Sequence, residues 1–163
     1  MGKMVETGAV ALTEGLMRWM QGQGPKVWHA FARSVEFDHP EATIDVLLAA
    51  HWIARQPDMD RATGLLLLAQ ALRAGLHIYA PVAMDDAAAR AFCLDLHHRL
   101  AMADSDARLP VMPEDQALIE TLFDDEAPLR LAPVDLKRGI VPSAFSFHHN
   151  RPQQLATALR RVA

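Results

Sequence analysis

Apolar residues recur along this chain mostly three and four positions apart, the spacing that lines one face of an α-helix. Leu12, Leu16, Trp19 and Met20 make the first such stripe and predict a helix from about Val5 to Met20. Gly22, Gly24 and Pro25 break it. Pro25 suits the first turn of a second helix, where its missing N–H costs nothing. Trp28, Phe31, Ala32 and Val35 then give that helix its apolar face.

Two segments read differently. From Pro40 to about Gln56, the residues Ile44, Leu47, Leu48, Ala50, Trp52 and Ile53 cover most of a helical circumference. So do Leu65 to Leu68, Ala69, Ala71 and Leu72, in a helix expected from Arg61 to Ala74. A helix that is apolar nearly all round belongs at the centre of a fold. Pro57 separates the two, Asp58-Met59-Asp60 offers an N-cap for the second, and Gly75 offers its stop. The expectation is an antiparallel pair buried at the core.

Further on, Asp85 or Asp86 caps a fifth helix to about Met102, buried through Ala89, Phe92, Cys93, Leu96 and Leu100. Asp95 and Arg99, four apart, are placed to pair on its outer side. A polar loop, Asp104 to Val111, leads to a short helix from Pro113 carrying Leu118, Ile119, Leu122 and Phe123. Between Asp124 and Arg151 the pattern fades, and Leu129-Arg130-Leu131 and Ile140-Val141 read as short extended pieces. Leu155, Leu159 and Val162 predict a last helix from Gln153 to Val162. The sequence therefore describes an all-α fold of six or seven helices in one domain over residues 1–163. Its form is a bundle or a stack of helix hairpins, with an irregular segment near 124–151.

Composition supports this. Ala (28) and Leu (21), both strong helix formers, make up about 30% of the 163 residues. Hydrophobic residues at 51% and charged residues at 22% argue against disorder. The longest apolar run, Leu65 to Ala69, is far shorter than the roughly 18 residues of a membrane span. A net charge of −4, with Arg160-Arg161 the only basic pair near an end, argues against a nucleic-acid partner. Cys93 is the only cysteine, so no intrachain disulfide forms. Its apolar setting predicts a buried, inert thiol. Met1 to Met20 lack the uninterrupted apolar centre of a signal peptide, and the expectation is a cytoplasmic protein.

Candidate chemistry is sparse. G-x-S-x-G, the P-loop and H-E-x-x-H are absent. Asp58-x-Asp60 begins like a calcium loop, but Ala62, Thr63 and Ala69 stand where an oxygen ligand, a glycine and a glutamate are required. His97 and His98 are helix neighbours and point about 100° apart. His148 and His149 fall in the irregular segment, where they can join a distant carboxylate around a metal. Asp124-Asp125-Glu126 reads as an acidic turn.

One stretch carries a resemblance. Trp28-His29-Ala30-Phe31-Ala32, and then Trp52-Ile53-Ala54-Arg55-Gln56-Pro57-Asp58-Met59-Asp60-Arg61-Ala62-Thr63-Gly64 running into Leu65 to Leu68, resemble the bacterial domain-of-unknown-function family 4274. Asp60 and Thr63 match that family's motif, whereas Met59 replaces its usual Cys and Gly64 its usual Ala. The match spans about Trp28 to Gly75. It implies a small helical domain with no assigned activity, of a kind found among bacterial immunity and interaction proteins. In this reading Asp60 and Thr63 together cap the helix after Pro57.

Function is therefore expected to be non-enzymatic: a bacterial protein–protein interaction domain, in its sharpest form an immunity-like toxin inhibitor. Its partner would be another protein, basic where it meets Asp124, Asp125 and Glu126. The alternative is a small metal-dependent hydrolase or ligand-binding protein using His148 and His149 with Asp95 or Asp125. A third reading places a small-ligand cleft around Trp52, Gln56 and Arg61. No cofactor is expected.

Overall fold

A computed structural model of the chain describes residues 16, 18–38, 44–80, 85–103 and 106–139. Most of the expected first helix, the expected last helix, Ile140-Val141, His148 and His149 lie outside these residues. After helical residues at 16 and 18–21, the described residues hold five complete α-helices and one 3-10 turn: α1 (Pro25–Ser34), α2 (Ile44–Ala54), α3 (Arg61–Arg73), α4 (Asp86–Met102), α5 (Pro113–Glu120) and the turn Thr121–Phe123. The fold is all-α.

The helix boundaries follow from local chemistry. Pro25 opens α1 behind Gly24, whose carbonyl accepts from the Val27 and Trp28 amides. The Trp28 indole N–H reaches back 3.1 Å to the Met20 carbonyl and ties the preceding helical residues to α1. Asp60 caps α3 by accepting from the Ala62 amide at 2.9 Å. Asp85 does the same for α4 through Ala87 at 3.0 Å. At the end of α3, Gly75 takes φ +76°, a left-handed conformation that favours glycine. Its amide then bonds the Leu72 carbonyl, and the Leu76 amide bonds the Ala71 carbonyl, closing both orphan acceptors. Leu76 is driven into the core by that reversal.

α3 is the hub. All ten residues from Ala62 to Ala71 are buried, and the helix packs against α1, α4, α5 and the 3-10 turn. Gly64 makes one of these contacts close: a Cβ there would stand 2.9 Å from Leu100 Cδ2 on α4 and 2.8 Å from Met59 Cε. Each fully buried leucine of α3 contributes about 1.5–3 kcal/mol by leaving water.

Three expectations are corrected here. α2 does not form the principal pair with α3; it packs on α4 instead. Nor is α2 buried all round, because Leu48 is 42% exposed and Trp52 half-buried. The cause is placement at the edge: with α3 surrounded by other partners, α2 has only one covered side. Thr63 does not cap α3 either. It is wholly buried, with Oγ1 2.9 Å from His29 Nδ1 on α1.

Residues 124–139 form neither helix nor strand, and Leu129-Arg130-Leu131 pairs with no strand. The segment is held by the Leu131 amide on the Leu122 carbonyl (2.9 Å) and an isolated parallel bridge between Val111 and Arg138. Leu131 is buried, and Leu129, Val134 and Leu136 pack against the core.

His29 is wholly buried and its Nε2 has no partner of good geometry among the described residues. Burial lowers its pKa below the usual 6.5, and Arg33 adds to that. Asp60, the Pro110 backbone and Asp115 pull the other way. The native ring is thus held neutral, while the unfolded chain takes up a proton near the ordinary value. Stability is full above about pH 6.5 and falls as pH drops toward the folded value. The urea midpoint is expected to decrease between about pH 7.5 and pH 5.5. His29→Gln should remove most of that decrease. A decrease as large in His29→Gln as in the wild type would contradict the assignment.

Candidate functional site

α2 and α4 run in the same direction: His51 meets Phe92 and Asp95, and the end of α2 meets Arg99. Between them lies an open cleft of about 280 Å³ lined by His51, Ala54, Arg55, Asp95, Leu96, His98 and Arg99. His51 of α2 and Arg55 just past its end stand four apart, and Asp95, His98 and Arg99 take adjoining positions of α4.

The expected Asp95–Arg99 pair does not form. Asp95 Oδ2 instead accepts from His51 Nε2 at 3.0 Å and stands 3.6 Å from Arg55 Nη2. The His51 ring meets Phe92 edge-on at 5.7 Å. Arg99 donates to the carbonyl of Ala54, the last residue of α2, and to that of Gln56 just beyond it, which also accepts from the Met59 amide. Burial lowers the Arg99 pKa. Arg61 acts similarly on α4, donating to the Ala103 carbonyl and, at 3.2 Å, to that of Leu100. A cation at the negative end of a helix also meets its dipole favourably. Each arginine therefore ties its own helix to the C-terminus of another.

A larger open cleft, about 670 Å³, lies between the start of α1, the Pro57–Arg61 turn and residues 106–109. Its wall carries Lys26, Arg61 and Arg108 beside Asp58, Asp60 and Asp106. Asp60 is committed to structure through both oxygens: Oδ1 accepts from Ala62 and Oδ2 from the Arg108 amide at 2.9 Å.

Neither cleft gathers the described residues singled out from the sequence. Trp52 meets Trp28 edge-on at 5.5 Å, and Gln56 donates to the Trp52 carbonyl at 2.8 Å. Neither lines the larger cleft, which takes Arg61 alone of the three. Asp124, Asp125 and Glu126 are exposed, and Asp125 pairs with Arg130 at 2.9 Å. Cys93 is buried and its thiol is pushed up to about 12, as its apolar setting implied. No group of three or more His, Cys, Asp or Glu among the described residues is placed to hold a metal ion.

What the sequence reading missed is the outer side of α4. Leu94 is 57% and Met102 73% exposed, and Ala87, Ala91 and Ala101 of the same helix are exposed too. Leu48 of α2 adds a further exposed apolar side chain. The polar lining of the smaller cleft borders this surface. No helix among the described residues is long and apolar enough to cross a membrane. No family model matches the chain, and no curated protein or solved structure matches it.

Arg99→Ala is expected to lower stability by about 1–3 kcal/mol, the worth of its charge-assisted bonds to the Ala54 and Gln56 carbonyls. Arg99→Lys should restore only part of it, because an ammonium lacks the planar fork that spans two acceptors. Urea denaturation of the three proteins measures both effects; a loss in Arg99→Ala no larger than that in Arg99→Lys would contradict this account.

Proposed function

We propose that this chain is a non-enzymatic protein-binding domain whose contact surface is the outer side of α2 and α4. One observation carries the reading: Leu94 and Met102 stand in water on a long helix whose opposite side is fully packed. An apolar patch bordered by charged and imidazole groups has the anatomy of a protein interface. The nearby polar groups support binding over catalysis. Arg99 and Arg61 bond helix carbonyls, and Asp95 is held by His51 and Arg55. Among the described residues, no Ser, Thr or Cys lines the cleft to serve as a nucleophile for the His51–Asp95 pair.

The acidic turn Asp124–Glu126 supports a narrower form of this reading, in which the partner is basic and association is electrostatically steered. An immunity-like inhibitor of a basic toxin fits that description. Much of the apolar content of the following segment is spent on the chain's own core, so the turn would contribute charge and the α2–α4 surface would contribute burial.

Photo-cross-linkable residues placed singly at Leu48, Leu94 and Met102, and at exposed Lys137 as a control, test the surface in cells. Discrete adducts from the first three positions and none from Lys137 are expected. Adducts from Lys137 alone, or from no position, would overturn the assignment.

A further inference from the structure

Ala87, Ala91, Leu94, His98 and Ala101 are all exposed on α4 and follow one another at intervals of four, three, four and three. That alternation is the heptad seam of a coiled coil. It lies opposite the side formed by Ala89, Phe92, Cys93, Leu96 and Leu100, which is spent on the core. α4 therefore carries one face built for the globular fold and another with the period of a helix–helix contact. With Leu94 at the d position, Ala91 and His98 fall at a, Ala87 and Ala101 at d, Arg90 at g and Asp95 at e.

We propose that this seam pairs in parallel with the same seam of a second copy of the chain; the inference rests on the protein-binding reading above and names its partner. Charge selects that occupant. In a parallel pair, a g residue lies beside the e residue five positions further along the other helix, and such pairs set partner choice and orientation. Five positions after Arg90 is Asp95. Two copies thus place Arg90 of each beside Asp95 of the other, twice by symmetry. Asp95 is suited to receive it: His51 and Arg55 both approach Oδ2, and no described residue bonds Oδ1. Reversing one helix would bring the two Asp95 edges together and lose the match. The alanines let the backbones approach closely, Leu94 supplies the central apolar contact, and His98 is the polar residue at an a position that restricts register.

The test uses the full chain in sedimentation equilibrium across about 5–500 μM, the range in which so small an apolar seam is expected to associate. A reversible dimer is expected. Leu94→Lys and Arg90→Asp should each weaken it by about tenfold or more. Joining Arg90→Asp to Asp95→Arg should recover much of what Arg90→Asp loses, which a merely damaged fold would not do. Ala101→Cys in a Cys93→Ala background should cross-link to its own counterpart in the other copy. In the same background, a mixture of Ala87→Cys and Ala101→Cys chains should yield no cross-link between the two different positions. A monomer throughout the range, a dimer unmoved by Leu94→Lys, or cross-linking between the two different positions would overturn the proposal. A monomer that still gives photo-adducts to another protein from Leu94 would overturn the second copy as occupant and leave the protein-binding reading standing.

Discussion

Burial of α3 on every side is the constraint from which most of this fold follows. Ten consecutive buried residues leave a helix no solvent side on which to put polar groups, so its polar side chains look inward for partners, and Gln70 Oε1 is left without one among the described residues. Thr63 finds His29, and the Gln70 amide lies 3.5 Å from the Arg33 carbonyl. Arg33 itself pairs with Asp115 on α5 at 2.5 Å, both side chains largely covered. Two sets of polar contacts, His29–Thr63 and Gln70–Arg33–Asp115, thus join α1, α3 and α5 beside the leucines. Breaking one member of a buried ion pair leaves an uncompensated charge, so these contacts restrict which arrangements of the three helices are permitted.

The α2–α4 layer is assembled on another principle. Its helices meet through their ends as much as through their sides. Arg99 closes the C-terminus of α2, and Arg61, from α3, closes the C-terminus of α4. Helix ends otherwise cost free energy through carbonyls that lack donors. Here one long side chain bonds two carbonyls at or just past a helix end and also fixes the distance between elements. With the ends secured, the outer side of α4 need not contribute to the fold, and its composition is available for contact with something else.

The parts of this architecture legible in the sequence are the ones decided locally. Pro25, the Asp60 cap, the Gly75 stop and the buried stripe of α4 depend on neighbours within a turn or two. What could not be read depends on residues far apart in the chain. Thr63 looked like a capping residue because its hydroxyl suits that role, but His29, 34 positions earlier, competes for it in the folded protein. Asp95 and Arg99 had the spacing of a helical pair worth only a few tenths of a kcal/mol. The carbonyls of Ala54 and Gln56, at and just past the end of another helix, took the guanidinium instead, and a histidine and an arginine took the carboxylate. Leu48 shows a further limit: an apolar run marks a helix as fit for the centre without saying whether enough neighbours exist to surround it. The seam on α4 was visible as spacing, but its alanines also suit any helix surface, and exposure is what distinguishes the two uses.

Cys93 lies on the same helix as that seam, on the opposite side, sealed within the core. Its sulfur is chemically silent while the protein stays closed, since neither solvent nor reagent reaches it and burial disfavours the thiolate. The chain thereby contains a built-in clock. The pace at which this lone thiol is consumed by an alkylating reagent counts how often α4 lifts away from its neighbours.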